Sequence, residues 1–368
     1  MKKILVTIYT FSLGGGAEKV LSELLNNLDK NKYDITVLPY AYYGVKDEKV
    51  NENITVLPSV VNMKTAGRIE KLLKYFLVHF FPSVIRKLYI KEKFDVEISF
   101  NYQIPSFMVK KTKKNRVINW NHENMYNLEK SWLKRKLQQR AFKQSDIIVA
   151  ISENTKKSIA HFFPQYANKI KLIYNGTDIE KTVGLSKEKT DIKVKNNSIV
   201  FLGRLEAAKN PLRLIEYVKN AVDSGRDLNL YILGKGEQKD ELKHFIEKNN
   251  LQTRVFLLGY INNPCPIIAQ CKAVCMLSKT EGFPTVFTEG MSLGVPFISS
   301  DVGGVAELSD NGRCGKIVST YEEFEKAVDS VVFDPYAGRE MKMACLKHIE
   351  DFSVPRQIQS VESLLDNC

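Results

Sequence analysis

Residues 278–290 read Ser278-Lys279-Thr280-Glu281-Gly282-Phe283-Pro284-Thr285-Val286-Phe287-Thr288-Glu289-Gly290. Just upstream, Ala273-Val274-Cys275-Met276-Leu277 is a short apolar run of the kind that makes a strand buried on both faces of a parallel sheet. Thr285 to Leu293 reads as a helix, because Pro284 stands where its missing N–H costs nothing and Gly294 can stop it. Val295-Pro296-Phe297-Ile298-Ser299-Ser300 begins the next strand. Glu281 therefore falls in the loop leaving a strand, and Glu289 a turn or more into the following helix. In open parallel sheets, ligands bind beyond the carboxyl ends of the strands, where helix N-termini offer free N–H groups to phosphate. Two carboxylates bracketing such a point would accept hydrogen bonds from hydroxyls on either side of an anionic centre. A sugar–diphosphate–ribose has that form. Two surface carboxylates on an ordinary loop are the competing reading. Gly282, Pro284, Gly290 and the strand that follows make it the weaker one.

The 368 residues are long for one core and sufficient for two domains. A hydrophobic content of 44% with 26% charged residues is that of a soluble globular chain, and no apolar run reaches the roughly 18 residues of a membrane helix. Met1-Lys2-Lys3-Ile4-Leu5-Val6-Thr7-Ile8 has too short an apolar stretch for a signal peptide and reads as a first buried strand, so a cytoplasmic location is expected. Cys265, Cys271, Cys275, Cys314, Cys345 and Cys368 show no CxxC and no histidine at metal spacing, which predicts free thiols in a reducing compartment. The charge is lopsided. Residues 1–150 hold 26 Lys+Arg against 14 Asp+Glu, a difference of +12, and residues 151–368 hold 28 against 28. The first half is thus expected to face an anionic surface or polymer.

Strands are expected at 2–8, 33–39, 53–58, 95–100, 116–120 and 145–151 in the first half. The second half should hold strands near 198–202, 228–233, 254–258, 273–277, 295–300 and 314–318, with helices between, and a last helix over 353–365. Gly14-Gly15-Gly16 precedes a helix from about Ala17 to Leu28, and is either a phosphate-approaching loop or a plain tight turn. The polar stretch 181–196 reads as an exposed loop. From 66 to 92 a long helix, kinked or divided by Pro82, repeats Ile69, Leu72, Leu73, Phe76, Leu77, Phe80, Phe81, Val84, Ile85 and Leu88 at helical spacing. Lys64, Arg68, Lys71, Lys74, Arg86, Lys87, Lys91 and Lys93 surround that face. Such a helix either lies in an anionic bilayer interface or packs its stripe on the sheet, and part of the stripe must do the latter. The run Lys130-Ser131-Trp132-Leu133-Lys134-Arg135-Lys136 adds an aromatic anchor and more positive charge. His122, in Trp120-Asn121-His122-Glu123-Asn124 at a strand end, is on physical grounds as easily structural as functional.

Three stretches together resemble one family. They are EGFPTVFTEGMSLGVPFISSDVGGVAEL with its Glu281-x7-Glu289 spacing, Phe201-Leu202-Gly203-Arg204-Leu205 with Lys209-Asn210-Pro211, and Gly14-Gly15-Gly16-Ala17-Glu18. The family is glycosyltransferase family 4, retaining enzymes of GT-B fold, and the resemblance spans nearly the whole chain, most closely Ile199 to Leu308. It resembles above all the bacterial enzymes that extend lipid-linked oligosaccharides. The resemblance implies two Rossmann-like doubly wound α/β domains facing a central cleft. Residues 1–175 with a returning helix 353–368 would bind the acceptor, and residues 176–352 the nucleotide sugar. It also implies that Glu289 binds ribose hydroxyls and that Glu281 faces the sugar. Gly282, Phe283, Pro284, Thr285 and Val286 would present backbone near sugar and phosphates, while Gly15 and Gly16 approach the nucleotide sugar from the first domain. The base would rest near Gly234 and the Arg254–Tyr260 segment, and His122 would reach the sugar's hydroxymethyl region. Uridine is the base it implies.

Metal-dependent transferases hold a divalent cation with Asp-x-Asp, a triplet absent from this sequence. Arg204, beside the strand-ending Gly203, and Lys209 five residues on would replace the metal as a cationic clamp on the departing diphosphate. No metal or other cofactor is therefore expected, and no enzymic nucleophile is assigned to the two glutamates. The expected partners are a nucleotide sugar, a lipid-linked glycan acceptor and, through the first domain, the anionic inner face of the cell membrane. A nucleotide-sugar epimerase of the same fold, a nucleic-acid binder and an inactive scaffold subunit are the other classes. The EGFPTVFTEG pattern argues against the first, and the lack of any zinc, RNP or helix-turn-helix signal against the second. The presence of His122, Arg204, Lys209, Glu281 and Glu289 together argues against the third.

Overall fold

The computed structural model of the chain describes residues 1–128 and 131–368, so Lys130 of the second basic run lies outside the described residues. The chain forms two units, one of Met1–Gly176 with Val354–Cys368 and one of Thr177–Ser353. Each is built on a parallel sheet with helices in the crossovers.

The first unit contains β1 (Lys2–Thr10), β2 (Tyr33–Tyr42), β3 (Ile54–Val56), β4 (Val61–Asn62), β5 (Val96–Phe100), β6 (Arg116–Asn121), β7 (Ile147–Ala150) and β8 (Ile170–Leu172). Their order is β3-β2-β1-β5-β6-β7-β8, with the short β4 also on β2. Chain direction across the sheet reverses between β1 and β5, so the loops that follow these strands border a crevice of the kind ligands use in such sheets. The second unit contains β9 (Ser198–Leu202), β10 (Asn229–Leu233), β11 (Val255–Gly259), β12 (Ala273–Met276), β13 (Phe297–Ser299) and β14 (Gly315–Ile317), in the order β11-β10-β9-β12-β13-β14. Here the reversal falls between β9 and β12. That is what brings Arg204 and Lys209, which follow β9, to the same place as Glu281, which follows β12.

Helices α1 (Gly16–Asn27), α2 (Arg68–Phe80), α3 (Pro82–Tyr89), α4 (Ile104–Met108) and α5 (Trp132–Gln144) cover the first sheet. Pro82 does divide the long helix, because its ring takes the first position of α3. Of the expected stripe only Ile85 is buried, in a core with Leu5, Leu38, Val78 and Phe107, and Leu77 packs partly buried against it. The rest of the stripe turns outward, with Ile69 82%, Leu72 61% and Phe81 53% exposed. One expected rim cation does not belong to the rim. Arg86 points inward and donates to Glu97 through Nη1 at 2.7 Å and Nη2 at 2.8 Å, and to the Met108 carbonyl at 2.6 Å. A guanidinium can satisfy a buried carboxylate with two parallel bonds, which explains why the inner position takes it.

The stretch expected as a loop over 181–196 begins instead as a helix, Ile179–Ser186, whose N-terminus is capped by Asp178 accepting from the Lys181 N–H at 2.9 Å. The terminal helix, Val354–Asp366, belongs to the first unit. Its last turn accepts from Lys2 Nζ at the Leu365 carbonyl (2.6 Å) and from the Tyr33 hydroxyl at Asp366 (2.9 Å). All six cysteines are free thiols, as expected.

Candidate active site

In the second unit the loops after β9, β10 and β12 are joined backbone to backbone. Gly203 N–H donates to the Leu233 carbonyl at 3.1 Å, Leu205 N–H to Lys235 at 2.9 Å, and Lys279 N–H to Ala208 at 2.8 Å. The approach leaves no room for side chains. A Cβ on Gly234, where φ is +152°, would overlap the Gly203 carbonyl oxygen. Gly303, at φ +57°, stands against the loop of Glu281, and a Cβ there would come within 2.5 Å of the Gly282 carbonyl oxygen. These contacts set the positions of the charged groups before any ligand arrives.

Lys209 and Glu281 meet across the topological reversal. Lys209 Nζ donates to both carboxylate oxygens of Glu281 at 2.7 Å, with the two side chains 21% and 8% exposed. Arg204 is exposed and pairs with Glu206 at 2.9 Å. An exposed pair of this kind is worth about 0–1 kcal/mol, so little opposes turning the guanidinium toward an incoming anion. The helix Thr285–Ser292 opens after Pro284 with no side-chain cap, leaving its N-terminus open to an acceptor group. Glu289 is half-buried one turn into this helix, on the face it shares with Thr285. Phe283 is buried, its ring 5.7 Å from that of Phe352. At the ends of β10 and β11, Lys235 Nζ sits 5.3 Å from the ring centroid of Tyr260, which is 56% exposed. That ring is a flat apolar surface of the kind on which a nucleobase stacks.

Of the residues singled out from sequence in this unit, the structure joins Gly203, Lys209, Gly234, Glu281 and Gly282 directly. The ion pair between Lys209 and Glu281 was not expected, since the sequence reading sent Lys209 to the diphosphate and Glu281 to the sugar. Gly303 was also missed, although the Gly303-Gly304 pair signals a close backbone approach.

In the first unit His122 directly follows β6 and is 8% exposed, with its ring centroid 4.4 Å from that of Phe100. Burial pushes its pKa down to about 3, so the imidazole is neutral. Its Nε2 has no hydrogen-bond partner within the protein. A neutral ring can orient a hydroxyl, by giving or accepting one hydrogen bond, without bringing a charge. The glycine loop differs from expectation. Glu18 Oε2 accepts from the N–H groups of Leu13 (3.0 Å), Gly14 (2.7 Å) and Gly15 (3.3 Å). The chain's own carboxylate thus takes the place at the start of α1 that a phosphate would need, and the amide of Gly15 is not offered to a ligand. What Gly15 and Gly16 provide is room, because a Cβ on either would meet nothing within 4 Å. A glutamate three residues after Gly15 is the signal that identifies this arrangement in the sequence. Among the described residues, no group of three His, Cys, Asp or Glu side chains could hold a metal ion.

Residues 14–181 match the model of Glycosyltransferase Family 4, and residues 184–347 that of Glycosyl transferases group 1. An uncharacterized glycosyltransferase of Methanocaldococcus jannaschii is 30% identical over 295 residues, covering 76% of this chain and 70% of its own. A Campylobacter jejuni enzyme is 28% identical over 327 residues, covering 86% of each chain. It is named as the N-acetylgalactosamine-N,N'-diacetylbacillosaminyl-diphospho-undecaprenol 4-alpha-N-acetylgalactosaminyltransferase. Among solved structures, the Anabaena protein HepE in complex with UDP superposes with a TM-score of 0.75 at 16% identity, over 100% of both chains. That likeness shows the shared fold.

Two predictions follow from the local electrostatics. Removing one member of a buried pair strands the other, so Lys209→Ala is expected to cost roughly 1–3 kcal/mol in urea denaturation, less than for a fully buried pair. The double variant Lys209→Ala/Glu281→Ala should then cost at least about 1 kcal/mol less than the sum of the singles. Additive losses would mean that the pair contributes no coupling.

For His122 the folded-state pKa lies below the unfolded value, so the stability tied to the neutral ring is complete above about pH 6.5 and is lost as pH falls toward 3. Between pH 6.5 and 5 the wild type should lose about 2 kcal/mol more than His122→Gln. Parallel stability–pH curves for the two proteins would contradict a neutral buried imidazole.

Proposed function

The chain belongs to glycosyltransferase family 4, of GT-B fold, and on that premise we propose that it moves a hexose or N-acetylhexosamine from a UDP-sugar to a lipid-linked oligosaccharide. The observation that carries the proposal is the Lys209–Glu281 pair at the β9/β12 reversal, beside an uncapped helix that bears Glu289. Glu289 accepts from the ribose hydroxyls. Glu281 accepts from hydroxyls of the sugar, held in place by Lys209. Arg204 turns from Glu206 to the diphosphate, and the N–H groups at Thr285 and Val286 add their partial charge as the leaving group becomes more negative. The reaction retains anomeric configuration through front-face attack, with the departing phosphate receiving the proton of the acceptor hydroxyl. Glu281 does not act as a nucleophile, an assignment supported by its two oxygens both being held by Lys209. The lack of an Asp-x-Asp triplet in the sequence supports a metal-free reaction. The lipid-linked acceptor is supported by the Campylobacter jejuni relative, whose name gives it a diphospho-undecaprenol substrate.

A lipid-linked acceptor brings the enzyme to a bilayer, and the outward stripe of α2 and α3 is the surface that meets it. Phe76 lies 4.9 Å from Phe80 and 5.8 Å from Phe81 by ring centroids, and all three rings are exposed. No helix among the described residues is long and apolar enough to cross a membrane, and the contact is peripheral, at the inner face of the cell membrane.

Calorimetry with UDP tests the nucleotide assignment. Glu289→Ala should weaken UDP roughly 10–100-fold, by loss of charge-assisted bonds to ribose, while Glu281→Ala leaves it within about threefold and abolishes transfer. Equal weakening by both would overturn the division of roles, and loss of transfer in EDTA would overturn the metal-free reading.

Sedimentation with vesicles tests the surface. Leu72→Ser/Leu73→Ser/Phe76→Ser should lose the part of vesicle binding that survives high salt. Unchanged sedimentation would assign the stripe another partner.

A further inference from the structure

At the opposite end of the first sheet from His122 lies a groove of about 620 Å³ that the proposed transfer does not use. Phe80, Phe107, Arg86, Lys110, Arg140 and Lys143 line it, contributed by α2, α3, α4 and α5 and by the chain leaving α4. Its position follows from two contacts. Lys110 N–H donates at 2.8 Å to Glu97, near the start of β5, and Lys111 Nζ donates at 2.6 Å to Asp146, just before β7. His122 follows the other end of β6, roughly 17 Å away for a strand of that length.

The cations of the groove fall into two groups. Arg86 is neutralised by Glu97 and Lys111 by Asp146. Among the described residues, Lys110, Arg140 and Lys143 have no carboxylate within ion-pairing distance. Arg140 is nonetheless held in place, donating through Nη2 to the His79 carbonyl at 2.8 Å with its guanidinium carbon 5.9 Å from the Phe107 ring centroid. An ordered guanidinium with two lysines at the lip is a site for a phosphate group. One wall of the groove is apolar and continuous with the outward stripe, since Phe80 lines the groove and is itself 48% exposed. A ligand that suits both halves is anionic at one end and apolar at the other.

We propose that this groove binds the headgroup of an anionic phospholipid, with the phosphodiester against Arg140, Lys110 and Lys143 and the acyl chains leaving along Phe80 and Phe81. The site rests on the reading that α2 and α3 meet a bilayer, and it adds a specific lipid contact to that diffuse one. A nucleic acid is the lesser fit, because one wall of the groove is apolar and continuous with the outward stripe, which suits acyl chains.

The test uses the full chain and dioctanoyl phosphatidylglycerol below its micelle concentration, so that no bilayer is needed and failure here is distinct from failure of the vesicle experiment above. Binding is read by intrinsic fluorescence or calorimetry, with circular dichroism and melting temperature as controls for folding. The wild type should bind this lipid at least tenfold more tightly than inorganic phosphate or dioctanoyl phosphatidylcholine. Arg140→Gln/Lys143→Ser should lose at least tenfold, while Lys71→Ser/Lys74→Ser, outside the groove, should not. Three results would each overturn the proposal: no saturable binding of the anionic lipid, equal binding by the Arg140→Gln/Lys143→Ser protein, or equal affinity for inorganic phosphate. Tighter binding of a twelve-nucleotide single-stranded RNA at the same residues would overturn it in favour of a nucleic-acid site.

Discussion

The pair between Lys209 and Glu281 closes a gap that the sheet topology creates. Their strands, β9 and β12, are neighbours in the second sheet although 70 residues separate the end of the one from the start of the other, so the two following loops converge without any local sequence to fix their spacing. Backbone contacts at Gly203, Gly234 and Gly303 bring the loops close, and the ion pair then sets where the two side chains end. The remaining features depend on this. With Glu281 held, the open N-terminus of the next helix and Glu289 one turn inside it have fixed positions relative to Arg204. A carboxylate held by both oxygens is an acceptor of hydrogen bonds rather than a free base, and that restricts what the site can do. Preorganisation of this kind places the electrostatic cost in folding rather than in the reaction.

The first unit follows a different economy of charge. Its excess of 26 − 14 = 12 positive charges over residues 1–150 is not spread evenly. Arg86 and Lys111 are used internally against Glu97 and Asp146, while Lys110, Arg140 and Lys143 gather at one groove and α2 and α3 expose their apolar stripe beside it. At the other end of the same sheet His122 is buried, and its ring stays neutral because burial penalises the charged form.

Much of this could be read from the sequence, and the reasons for the rest are physical. Strand periodicity, Pro284 and the glycines were enough for two parallel sheets, and the Glu281–Glu289 spacing placed a carboxylate at a strand end and another inside a helix, where the structure has them. Pro82 divided the long helix as its ring geometry requires. The contacts that sequence reading missed are those made between residues distant in the chain. Nothing in Lys209 itself shows that its partner is Glu281, 72 residues on, and nothing in Arg86 shows that it turns inward to a strand residue rather than outward with its neighbours. The glycine loop shows a nearer oversight. It read equally as a phosphate-approaching loop or a tight turn, and Glu18, only a few residues away, accepts from the amides of Gly14 and Gly15. The stretch 181–196 was read as loop from its polarity, although the Asp178 N-cap just before it, followed by apolar residues at helical spacing, outweighs composition.

The central claim is that the second unit presents a nucleotide-sugar site at the β9/β12 reversal. A crystal structure of the protein grown with UDP tests it most directly. The account predicts both ribose hydroxyls within hydrogen-bonding distance of Glu289, and the diphosphate against Arg204 and the N–H groups at Thr285 and Val286. A nucleotide bound away from these groups, or no bound nucleotide at millimolar UDP, would contradict it.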